Sequence, residues 1–90
     1  MLAAADTPTQ IRALMLEAIK AAAIHRPVCI SQLSPDGQAG LMVTVNGLDA
    51  TLKPIGSAHT HLADATASFE DISAKLTLEH VALLYANAVG

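Results

Sequence analysis

Apolar side chains recur at Ile11, Leu14, Met15, Ala18, Ile19 and Ala22, steps of three and four residues that predict one stripe on an amphipathic helix. Arg12, Glu17 and Lys20 fall off the stripe, and so does Leu16, which lies beside the polar side. The helix start is marked by Thr7 as N-cap, Pro8 at the first helical position and Gln10 completing a capping box with Thr7. Its end is expected near His25, because Pro27 disfavours helical geometry in Arg26.

The period then changes from helical to alternating. Residues 28–33 (VCISQL), 39–45 (AGLMVTV) and 48–53 (LDATLK) read as three strands, separated by the turn SPDG at 34–37 and by Asn46-Gly47. A two-residue turn at 46–47 pairs Val45 with Leu48, Val43 with Ala50 and Leu41 with Leu52. A four-residue loop at 34–37 pairs Ile30 with Leu41 and Val28 with Val43. Both registers collect Val28, Ile30, Leu41, Val43, Val45, Leu48, Ala50 and Leu52 on one face, and a one-residue slip would scatter that set. The opposite face receives Cys29, Ser31, Leu33, Gly40, Met42, Thr44, Asp49, Thr51 and Lys53.

Residues 54–61 (PIGSAHTH) read as a loop. Leu62, Phe69, Ile72 and Leu76 suggest a second helix. Thr77 reads as another N-cap, with Leu76 and Val81 as a hydrophobic staple, and Val81, Leu84, Tyr85 and Ala88 form a last stripe. The pattern over 69–89 suits two helices or one bent helix. The expected fold is α+β in the order α-β-β-β-α-α. A three-stranded antiparallel meander has one face covered by the N-terminal helix and two C-terminal helices. Residues 1–90 are read as one domain with the first six frayed.

Composition adds a partner to this picture. The apolar fraction is 52%, yet much of it is alanine, and Phe69 and Tyr85 are the aromatics. Alanine brings little area to a core, so sharing burial with a second chain is expected, as a homodimer. Cys29, Ser31, Leu33 and Met42 on the uncovered sheet face, together with Leu16, are the expected interface residues, and the free edge of residues 28–33 is the alternative contact. The balance of 5 basic and 8 acidic residues gives a net charge of −3, with the basic residues scattered. Without a basic footprint or stacking aromatics, nucleic-acid binding is not expected. The start MLAAADTPTQ lacks the pattern of a secretory signal, and no apolar run approaches the roughly 18 residues of a membrane span. A cytoplasmic protein is expected, and the alanine-rich composition suits a bacterial source.

Candidate chemistry is sparse. In HTHLAD, His59 and His61 are two apart and would point to one side of an extended segment, with Asp64 nearby. These are ordinary zinc ligands, and His80, Glu70 or Asp71 could complete a site only if the fold gathers them. Spacing alone reads as a polar loop, so no metal or cofactor is assigned. Cys29, mid-strand and without a basic neighbour, reads as a packing residue, and as the lone cysteine it forms no intrachain disulfide. No nucleophile elbow, P-loop or dinucleotide fingerprint occurs. The expected function is a non-catalytic protein–protein interaction module of the inhibitor, adaptor or small-chaperone type. The alternatives are a metal-dependent enzyme or sensor using His59, His61 and Asp64, and a structural subunit of a larger assembly.

Overall fold

The computed structural model describes residues 7–56 and 62–90. In chain order it contains α1 (Thr7–Ala23), β1 (Val28–Leu33), β2 (Gly40–Asn46), β3 (Asp49–Ile55), β4 (Ala65–Ser68), α2 (Phe69–Ser73) and α3 (Leu78–Val89). The strands form one antiparallel sheet in the order β1-β2-β3-β4, so the fold is α+β. One face is covered: α3 lies on β1, α1 packs against α3 and over β1 and β2, and α2 sits on β3 and β4. Between the layers, Val28, Ile30, Leu41, Val43, Val45, Ala50 and Leu52 meet Ile19, Phe69, Ile72, Leu76, Val81 and Leu84 in a single core.

The sheet has four strands rather than three. Residues 65–68 (ATAS) alternate, with Ala65 and Ala67 packed against the core and Thr66 exposed. Alanine is disfavoured in strands and Thr66 alone favours one, so the segment has little local signal. It pairs Leu52 with Ala65 and Ala50 with Ala67, and Ala65 and Ala67 add to the core.

Both strand registers differ from the sequence expectation by two residues. Val28 pairs with Val45 and Ile30 with Val43. Val43 in turn pairs with Leu52, and Val45 with Ala50. The turn at 34–37 closes through a bond from the Gly37 N–H to the Ser34 carbonyl (2.9 Å), but Gln38 and Ala39 also belong to the loop. The second hairpin turns at Gly47-Leu48, because Gly47 takes the positive φ (64°) while Asn46 stays paired with Asp49. A shift by two leaves every strand residue on its expected face. Leu48 is the exception: it sits at the tip and is 74% exposed.

Residues 69–89 form two helices, not one. Thr77 is the N-cap of α3, and Leu76 and Val81 are both buried. Helix α1 turns a different side to the core than its stripe suggests. Met15, Leu16, Ile19 and Ala23 face inward, while Ile11 and Leu14 are exposed. Two anchors set this rotation: the Arg12 guanidinium donates to the Ser73 carbonyl, and the Gly47 N–H donates to the Ala23 carbonyl (2.9 Å). Leu16, expected off the buried stripe, is half-buried and packs against the core. Tyr85, expected on the buried stripe of α3, is exposed.

Candidate functional site

Strand alternation places one residue in two on the open face, and the register aligns them in rows. Cys29, Thr44, Thr51 and Thr66 stand in line across all four strands. The next row is Ser31, Met42 and Lys53, followed by Leu33, Gly40 and Ile55. On the other side of the threonines lie Asn46, Asp49 and Ser68. The predicted interface residues Cys29, Ser31, Leu33 and Met42 are therefore neighbours on β1 and β2, and all are exposed. Gly40 makes room beside them: a Cβ there would lie 2.2 Å from the Gln32 carbonyl oxygen and 2.9 Å from Leu33 Cα. The face carries one acid, Asp49, and one base, Lys53, both on β3.

The threonine row was not identified in the sequence. Thr44 and Thr51 each alternate onto the expected face, but their alignment depends on the two-residue shift and on β4. Cys29, expected as a packing residue, instead has its side chain on the open face and is a free thiol. Alternation alone fixed its side of the sheet.

The other candidate groups are dispersed or already bonded. His59 and His61 lie outside the described residues, and Asp64 is exposed. Glu70 and Asp71 occupy the first turn of α2. His80 is buried at the start of α3, where its N–H donates to Thr77 Oγ1 (3.2 Å) and its Nδ1 accepts from the Thr77 N–H (3.4 Å). Among the described residues no group of three His, Cys, Asp or Glu side chains is placed to hold a metal ion. Asp36 accepts from Ser34 Oγ and from the Gln38 N–H, and these bonds hold its carboxyl below the ordinary value while they tie the turn together.

Both arginines are also engaged. Arg12 caps α2 at Ser73, and Arg26 donates to the Asn87 (3.1 Å) and Ala88 (2.6 Å) carbonyls at the end of α3. Lys20 pairs with Glu17 at 3.2 Å.

Against models of protein families, curated proteins and solved structures, the chain matches none. No helix among the described residues is long and apolar enough to cross a membrane.

Proposed function

We propose that the chain is a non-catalytic protein-binding module, of the inhibitor, adaptor or small-chaperone type, whose docking surface is the open face of the sheet. The observation that carries this reading is the cluster of Cys29, Ser31, Leu33 and Met42, uncovered on adjacent strands beside an uncharged threonine row. A mixed apolar and hydroxyl surface on a flat scaffold suits a protein partner, where shape and scattered hydrogen bonds outweigh charge. The engagement of His80, Arg12 and Arg26 in helix ends supports the same reading, because groups that could do chemistry or bind anions hold the fold instead.

The test is affinity capture from the native host, with the bound proteins identified by mass spectrometry. A partner retained by the wild-type chain should be lost from Met42→Glu and retained by a substitution on the helical side. A partner that survives Met42→Glu and Leu33→Asp together would remove the sheet face from the reading.

A further inference from the structure

The helical layer has a second uncovered surface, and it differs in chemistry from the sheet face. On the outward flank of α1, Ile11, Leu14, Ala18 and Ala21 recur at alternating steps of three and four. On the outward flank of α3, Leu78, Ala82, Tyr85 and Val89 do the same. Arg12, in the first half of α1, bonds Ser73 at the end of α2, and Arg26, just beyond α1, bonds the end of α3, so α1 and α3 run in the same sense. Their flanks meet in a groove of about 350 Å³ lined by Ile11, Leu14, Met15, Ala18 and Tyr85. Such spacing on an exposed flank is that of a helix–helix seam.

We infer that this groove is the contact between two copies of the chain, packed through their α1/α3 layers about a two-fold axis. Three observations favour a second copy as the occupant. The first is charge. Identical copies bring like charges face to face, and neither stripe contains a charged residue. Of the charges of α1, Arg12 is turned to Ser73, and Glu17, which borders Leu14 and Ala21 on the helix surface, is paired with Lys20. The only charged side chain of α3, Glu79, accepts from Gln32 of β1.

The second observation is shape. Leu14 forms one wall of the groove and, 72% exposed, projects beyond it from α1. A two-fold axis lets each Leu14 enter the other copy's groove, so one surface supplies both knob and socket, as an isologous interface requires. Ala18, Ala21 and Ala82 leave room for the opposing helices to approach. The third is area. At ordinary side-chain sizes the exposures of the two stripes leave on the order of 500 Å² of apolar surface per copy, so pairing that covered all of it would bury about 1,000 Å² in all, the lower bound for a specific interface.

The strand edge is a poorer contact for a second copy. Helix α3 leans over β1, and Asn87 Nδ2 already donates to the outward Cys29 carbonyl.

The contact does not depend on the sheet face binding anything, and the test separates the two. Light scattering after size exclusion is run from micromolar to millimolar concentration on the wild-type chain, Leu14→Glu and Met42→Glu. Circular dichroism establishes that each variant is folded. The wild type and Met42→Glu should show twice the chain mass of 9.3 kDa, and Leu14→Glu should show 9.3 kDa while keeping its helical signal. If Leu14→Glu fails to fold, Ile11→Glu is read in its place by the same criteria. A wild type that stays at 9.3 kDa throughout overturns the inference, as does a dimer that survives Leu14→Glu or is dissociated by Met42→Glu.

Discussion

Val43 is fully buried in the middle of the sheet, flanked by Ile30 on β1 and Leu52 on β3, while Thr44 beside it faces outward. Val43→Asp puts an unpaired charge into the core and should cost about 4 kcal/mol or more, unfolding the domain. Thr44→Asp should leave the thermal midpoint nearly unchanged, and a reversed order in melts would mean that the faces are exchanged. Gly47→Val at the hairpin tip should cost about 1 kcal/mol or more in denaturant unfolding, because a β-branched residue resists the positive φ there. The strain is conformational alone, since a Cβ at Gly47 would meet nothing within 4 Å. At this scale the sequence was readable wherever alternation decides the side of a residue. It was misread at Leu48, where the pattern continues but the strand has already turned.

Helix starts and helix ends differ in how far their causes lie along the chain. The start of α3 is local: Thr77 and His80 bond each other three residues apart, and the cap can be read from the order of residues. The ends of α2 and α3 also receive bonds from far along the chain. Arg12 reaches Ser73 across 61 positions, and Arg26 reaches Ala88 across 62. No window of sequence shows such a bond, which is why the arginines read only as scattered surface charge. Arg26→Met keeps much of the stem and removes the donor, leaving the Asn87 and Ala88 carbonyls without it. This should cost about 1 kcal/mol in denaturant unfolding and fray the last turn of α3. An unchanged midpoint would mean that water caps these carbonyls equally well. The strand β4 was illegible for the related reason that its small residues take their conformation from β3 rather than from their own preferences.

For the whole molecule, the two open surfaces were legible to different degrees. The sheet face survived an error in register, because a shift of two residues conserves sides. The helical face did not, because periodicity defines a stripe without saying which part of it meets the sheet. Here α1 buries Leu16 and Ile19 and leaves Leu14 outside. The two-layer arrangement makes a last prediction about the free edge. The Ser34 N–H donates to the Ala39 carbonyl across the β1–β2 pair, so alternation turns Ile30 and Gln32 toward β2 and Ser31 and Leu33 away from it. Amide exchange followed by NMR should therefore alternate along β1, slow at Ile30 and Gln32 and fast at Ser31 and Leu33. The central strands β2 and β3 bond on both sides and should exchange slowest. If copies meet through α1 and α3, raising the concentration should leave Ser31 and Leu33 fast. Slow exchange at Ser31 that develops with concentration would instead mean that a strand from another copy had added to the β1 edge.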